Sequence, residues 1–413
     1  MSSESRMDSL RMSETSDMGN KSDAGALSRL KDEAAALAPL LRQKGSEIDR
    51  LGVLPPDVLS AVHAAGFYRI GVPERFGGLG AGGGLRGQHE ILVELGKGNA
   101  SVAWCAAIAW GNALIIGEGW DSEVAEEVLD QAHVGPPAAG SIFNPAHSKG
   151  VGRQVEGGYM VSGTWGFCSG VRQSAWLVGG ATLHDGDGNA RRAFVLIPRA
   201  DFEIADDWHV EGMKGTNSNS AYVTDEVFVP KNRVVMMSDF INGARRLFGK
   251  GHPQSGASIA LGSATAALEI FIDQAKRRSA WATPYAKLAD LPSTQIVAAK
   301  VRAEIRAAEA VMERNFGSVD GRIASGSFKP QDFALLSFES AHAGERLRLA
   351  VEELVIATGS SASADVDDLG RFCRDIRVMC LHLTMRRDWA AENFGRILLE
   401  REPWPPMFQD STE

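Results

Sequence analysis

What the chain lacks narrows it first. Acidic residues outnumber basic ones, 52 to 43, for a formal net charge of −9. No positive excess exists to neutralise phosphates, so nucleic acid is not an expected partner. Cysteine is scarce: Cys105, Cys168, Cys373 and Cys380 are the full set, with no CxxC and no metal-ligand spacing. That predicts no metal site, and reduced thiols in a cytoplasm. HExxH, GxSxG and GxxxxGK[ST] are all missing, which leaves metalloprotease, serine hydrolase and P-loop chemistry without support. Residues 1–22 are polar, lack the apolar centre of a secretory leader, and read as a disordered tail. The longest uncharged apolar run, Ser101–Gly117, is interrupted by Asn112 and falls short of the ~20 residues a membrane span requires. It predicts a buried core helix and no membrane association.

What is present is globular. Of 413 residues, 44% are hydrophobic and 23% charged, enough for two or three packed units. The texture changes twice. Residues 23–135 carry apolar residues at three- and four-residue spacing, with Pro56 opening one helix and Gly66 closing it. Residues 136–238 are short alternating runs cut by Gly, Asp and Pro, with HDGDGNARRA as a hairpin turn. Residues 239–402 return to long amphipathic segments that predict a four-helix antiparallel bundle, followed by a tail at 403–413. The fold class is α+β, and the scarcity of βαβ units disfavours a Rossmann or TIM arrangement.

Four places invite chemistry. Gly78, Gly80 and Gly83 match GxGxxG by letter, but no strand precedes them and the run reads as a turn between helices. In GTWGFCSGVRQSAW, Trp165 and Phe167 stand two apart and are expected to share one strand face, with Ser169 and Gly170 ending the strand. This is either a flat wall for an aromatic cofactor beside a small hydroxyl, or an ordinary β core with a turn. His382 follows Arg374 and Val378 at four-residue spacing, so the three are expected on one helix face. That histidine is either catalytic or a satisfied core residue. Gly215, Thr216, Asn217, Ser218 and Asn219 form a run whose amides and hydroxyls suit a polar ligand, or simply a turn before a strand.

With these segments in hand, the chain resembles the acyl-CoA dehydrogenase superfamily. GMKGTNSNSAYVTDEVFVPKNRV matches its G-x-[RK]-G-[ST]…V-F-V-P block, and LGVLPPDVLSAVHAAGFYRIGVPERFGGLG its N-terminal helix and loop. The resemblance implies an N-terminal α-helical domain, a central β-barrel domain and a C-terminal four-helix bundle. WGFCSGVRQSAWLVGG and LGRFCRDIRVMCLH resemble blocks of the flavin-dependent monooxygenase branch, the oxygenase components of two-component hydroxylases. Dehydrogenases that carry their base late in the chain place a Glu nine residues after the Arg of RD. Nine residues after Arg374 stands Leu383.

The resemblance implies reduced flavin, FMN ahead of FAD, delivered by a separate NAD(P)H-dependent flavin reductase. It also implies O2 as co-substrate and transfer of oxygen from a C4a-hydroperoxyflavin to a small aromatic or heteroaromatic ring. Ser169 would hold the flavin N5 proton, with the Cys168 backbone beside it, and His382 would orient the substrate or take its proton. Trp165, Phe167, Gly215, Thr216 and Arg277 would contact the cofactor. Several aromatic hydroxylases of the branch carry a second histidine in the buried helix. Here Trp110 and Asn112 stand in that vicinity as substrate contacts, which opens the way to an indole-like ring or an amine. A homotetramer is expected. The competing readings are an acyl-CoA dehydrogenase or oxidase, an N-hydroxylase of an amine or amino sugar, and a non-catalytic scaffold.

Overall fold

The computed structural model describes residues 25, 28–80, 84–130, 136–141, 147–239 and 255–403. The expected tails lie outside the described residues, residue 403 excepted, as does Gly83 of the glycine-rich run. Helices come first: α1 (residues 28–43), α2 (Gly45–Leu51), α3 (Pro56–Ala64), α4 (Gly84–Gly98), α5 (Ala100–Gly119) and α6 (Ser122–Leu129). Asn99 separates α4 from α5. Its side-chain oxygen accepts the N–H groups of Ser101 at 2.9 Å and Val102 at 3.2 Å, two of the donors that open a helix without intrahelical partners.

Eight strands follow: β1 (Ala138–Ser141), β2 (Gly150–Val155), β3 (Gly158–Trp165), β4 (Trp176–His184), β5 (Ala190–Pro198), β6 (Glu203–Ile204), β7 (Ala221–Pro230) and β8 (Val234–Met236). They form one sheet in the order β6-β7-β3-β2-β4-β5-β8, with β1 alongside β4. The turn between β4 and β5 is the one the sequence marks: the Asp185 carboxylate accepts the N–H groups of Asp187 and Asn189. Alternation along these strands feeds two cores. Trp176, Val178, Phe194 and Leu196 pack with α5 and α6. Leu177, Val195 and Ile197 point the other way, onto Trp165 and Cys168.

The C-terminal region contains α7 (Ser255–Arg277), α8 (Pro292–Ala324), α9 (Pro330–Thr358), α10 (Asp368–Met379) and α11 (Arg387–Leu398). The segment expected as one long fourth helix is broken between α10 and α11, and His382 lies in the break. α7 crosses α4 with backbones in contact: a side chain at Gly262 would meet the Val93 carbonyl oxygen at 2.0 Å. α5 and α7 are long and apolar enough to cross a membrane, but their apolar windows are 83% and 72% buried inside the protein. α5 is apolar all round because it is enclosed all round. Ala103, Cys105, Ala106 and Trp110 join the core of the helical regions, and Ala113, Leu114, Ile115 and Ile116 join the core on the sheet. Each large side chain among them contributes about 1.5–3 kcal/mol by leaving water.

Candidate active site

The site is assembled where β3 ends. Trp165 is the last strand residue, and two positions later the backbone of Phe167 turns to φ +58, a region that residues with a Cβ rarely occupy. The expected shared face is therefore lost. Trp165 is fully buried in the core under the sheet, where its Nε1 donates to the Gly180 carbonyl at 2.9 Å. Its place as a cofactor wall is corrected to a place in the core. Phe167 instead stands 55% exposed, with the rings of His147 and Trp208 edge-on at 4.6 and 5.9 Å. Cys168 is buried, its thiol 3.2 Å from the Trp165 carbonyl, and burial pushes its pKa up to about 12. It is a structural thiol.

Ser169 is half-buried and meets two groups distant in sequence. Trp104 of α5 donates its Nε1–H to the Ser169 hydroxyl oxygen at 3.2 Å. The Ser169 and Ser218 hydroxyls are 2.8 Å apart, and those of Ser218 and Thr216 are again 2.8 Å apart. The backbones are joined as well: the Gly170 N–H donates to the Thr216 carbonyl at 2.8 Å, and the Cys168 N–H to the Asn219 carbonyl at 3.3 Å. The 215–219 run is thus not a rim of free amides. Thr216, Asn217, Ser218 and Asn219 are all buried. Asn217 accepts the Arg172 backbone N–H and donates to the Gln173 side chain. Gly215, expected at the cofactor, serves packing: a side chain there would lie 2.2 Å from Ile48 of α2.

Asp375 of α10 pins this run. Its carboxylate accepts the Met213 N–H at 2.5 Å, and the Met213 carbonyl in turn accepts the Thr216 hydroxyl at 2.8 Å and the Trp208 Nε1–H at 3.2 Å. Burial, with the charge of Asp49 added, raises the Asp375 pKa to about 6.

His382 is not on a helix face with Arg374 and Val378. α10 stops at Met379, and His382 adopts an extended conformation, φ −64 and ψ 145, capping the short turn Leu383–Met385. Its Nδ1 accepts the Thr384 N–H at 3.3 Å and meets the Thr384 hydroxyl at 2.9 Å. A local side-chain bond of this kind competes with helix continuation. A backbone N–H can only donate, so the neutral ring carries its proton on Nε2, which has no partner among the described residues. The ring stands edge-on to Trp104 at 4.8 Å. It keeps contact with solvent, while the protein around it lowers its pKa to about 4 through loss of hydration.

The remaining expected residues lie elsewhere. Trp110 is buried, its Nε1 held by the Phe67 carbonyl at 2.7 Å. Asn112 is buried with its amide on the Ala138 carbonyl at 3.1 Å, tying α5 to β1. The indole N–H of Trp110 and the amide nitrogen of Asn112 are thus engaged within the fold. Arg277 pairs with Asp273 one turn back on α7 and joins none of these groups. An open concavity of about 480 Å³, lined by Arg172, Arg199, Phe202, Glu203 and Ile204, shares Arg172 with this region, where its backbone N–H donates to Asn217. Sequence reasoning missed Trp104, Trp208 and His147. Trp104 is hidden in the apolar run of α5, where nothing local separates it from Trp110. Among the described residues, no group of His, Cys, Asp or Glu is arranged to hold a metal ion.

The chain is similar to known proteins over nearly its whole length. Residues 255–387 match the family model described as "Acyl-CoA dehydrogenase, C-terminal domain". The chain is 28% identical to the flavin-dependent monooxygenase oxygenase subunit HsaA of Rhodococcus jostii over 376 residues, covering 87% of this chain and 95% of that one. It is also 28% identical to the oxygenase component of an FADH2-dependent resorcinol hydroxylase of Rhizobium sp. over 397 residues, covering 91% and 95%. Among solved structures, that of XiaF from Streptomyces sp. in complex with FADH2 and glycerol superposes with a TM-score of 0.82 at 21% identity, covering 94% and 98%.

Proposed function

For this chain, the oxygenase component of a two-component flavin-dependent monooxygenase with the acyl-CoA dehydrogenase fold, we propose hydroxylation of a small aromatic or heteroaromatic substrate held between Trp104, His382 and the flavin. One observation carries the reading: an exposed aromatic ring (Phe167) and a half-buried hydroxyl (Ser169) at one strand end are joined through Trp104, which touches both Ser169 and His382, to a histidine from a distant part of the chain.

The residues fit a flavin. Its tricyclic ring wants an apolar planar neighbour and a hydrogen-bond partner at N5, and Phe167 and Ser169 offer both two residues apart. Bound reduced flavin supplies the two electrons with which O2 is divided between product and water. As an oxygenase component, the chain receives that flavin from a separate reductase, for which NAD(P)H is the proposed electron source. The similar resorcinol hydroxylase is FADH2-dependent and the XiaF structure is a complex with FADH2, so reduced FAD is the first cofactor to test and FMN the second.

The protein's own tasks follow. Trp104 and Phe167 keep water from the reacting atoms, which limits loss of reducing power as H2O2. Ser169 holds the N5 proton. His382, neutral across the working range because its pKa is lowered to about 4, donates Nε2–H to a substrate oxygen and fixes the ring's orientation. A proton-accepting role would require the other tautomer, which the Thr384 N–H disfavours. The acyl-CoA dehydrogenase reading lacks its base: Leu383 stands at the late position, and no carboxylate is hydrogen-bonded to Trp104, Ser169, Ser218 or His382 among the described residues.

The domain division 23–135, 136–238 and 239–402 and a homotetrameric, cytoplasmic enzyme complete the proposal. Exposed Trp281, Ile356, Val366, Leu398 and Leu399 leave apolar surface on the C-terminal helical region for partner subunits, which light scattering tests directly.

The deciding experiment is anaerobic mixing with reduced FAD or FMN followed by oxygenated buffer. A persistent near-ultraviolet species distinct from oxidised flavin, decaying faster when a phenol or indole is added, is the expected result. Oxidation at the rate of free flavin overturns the proposal.

A further inference from the structure

We propose that Thr216 and Ser218 set the direction of the Ser169 hydroxyl, so that its oxygen rather than its proton faces the flavin. The proposal rests on the reading that Ser169 meets N5. A hydroxyl has one proton. That of Thr216 goes to the Met213 carbonyl, 2.8 Å away, so in its 2.8 Å contact with Ser218 it must accept. The Ser218 proton is then committed to Thr216, and in the 2.8 Å contact between Ser218 and Ser169 it is Ser169 that donates. From the other side, Trp104 Nε1–H, which can only donate, reaches the Ser169 oxygen at 3.2 Å. The order is unidirectional: Trp104 to Ser169 to Ser218 to Thr216 to the Met213 carbonyl. Its terminus cannot reverse, because a carbonyl has no proton to return and the Met213 N–H is held by the buried Asp375 carboxylate at 2.5 Å.

Ser169 is left with one lone pair and no free proton. In reduced flavin N5 bears a hydrogen and donates. In oxidised flavin N5 is an acceptor. A serine fixed in this way bonds the reduced form and opposes a lone pair to the oxidised form. An enzyme that takes up reduced flavin and gives back oxidised flavin needs this asymmetry, and Thr216 and Ser218 supply it as positioning residues without touching the cofactor.

The test is the ratio of dissociation constants for oxidised and reduced FAD, and for FMN, from anaerobic titration of the full-length protein. Wild type is expected to bind the reduced form at least tenfold more tightly. Thr216→Val and Ser218→Ala each free a proton in the chain, and the ratio is expected to fall by about tenfold, the worth of one hydrogen bond. Thr216→Ser keeps the hydroxyl and should keep the ratio. General damage to the loop weakens both forms alike and leaves the ratio in place. A wild type that prefers reduced flavin, with the ratio unchanged in both variants, overturns the directed hydroxyl and leaves the monooxygenase reading standing. A wild type that binds neither form overturns both.

Discussion

Two histidines, in two regions of the molecule, have pKa values lowered to about 4 for the same first cause, loss of hydration, and do different things. His89 of α4 is enclosed where α4 meets α7 and α8. It is 6% exposed, its Nδ1 is 2.8 Å from the Ser258 hydroxyl and its ring is 4.8 Å from Phe316. His382 has its Nδ1 held by Thr384, its ring against Trp104, and solvent on its open side. The lowered pKa alone distinguishes neither. Accessibility of the second ring nitrogen does, together with the company of Ser169 through Trp104.

The largest expected effect breaks the comparison on the catalytic side. His382→Ala should lower coupled hydroxylation by about 10²-fold and raise the share of reductant lost as H2O2, while stability stays within about 0.5 kcal/mol, as for an exposed residue. Ser169→Ala should raise H2O2 release in the same assay. Unchanged coupling in both would remove these residues from the site.

Acid titration sharpens the other side. The ordinary histidine value is 6.5 and the folded value of His89 is about 4, so between these pH values the unfolded chain binds the proton and the folded chain does not. Stability therefore falls as pH drops through this window, by about 2–3 kcal/mol for a fully enclosed ring. The loss should be read from denaturant midpoints at pH 7 and pH 4, and His89→Gln should flatten that slope.

The smallest effect separates two tryptophans of one helix. Trp110→Phe deletes the bond to the Phe67 carbonyl and should cost about 1 kcal/mol with coupling intact. Trp104→Phe should leak H2O2 at comparable stability. Equal coupling in the two variants would count against a role for Trp104.

Much of this was legible in the sequence, and the illegible part has a physical pattern. Element order, the Asp185–Asn189 turn and the enclosed α5 followed from periodicity and punctuation, because those signals are local. Ser169 and His382 were singled out by their motifs, and the proposed site is built on them. What failed were the side-chain directions. Trp165 and Phe167 were placed on one face by strand alternation, but the strand ends between them and Phe167 takes a positive φ. His382 was placed on a helix that its own capping bond to Thr384 helps to terminate. Trp110 and Trp104 are alike in the sequence, and only the positions of Phe67 and Ser169, set by tertiary packing, assign one to the core and the other to the site.

The hydrogen bond from Met213 to Asp375 also bears on biosynthesis. Trp104 and Ser169 leave the ribosome long before α10 and His382, and the bond between Met213 and Asp375 forms only once α10 arrives. A nascent chain therefore completes the support of the hydroxyls only after its last helices dock. If flavin capture follows that order, unfinished chains neither bind the reduced cofactor nor expose it to oxygen, and the cell is spared a source of peroxide from partly made enzyme.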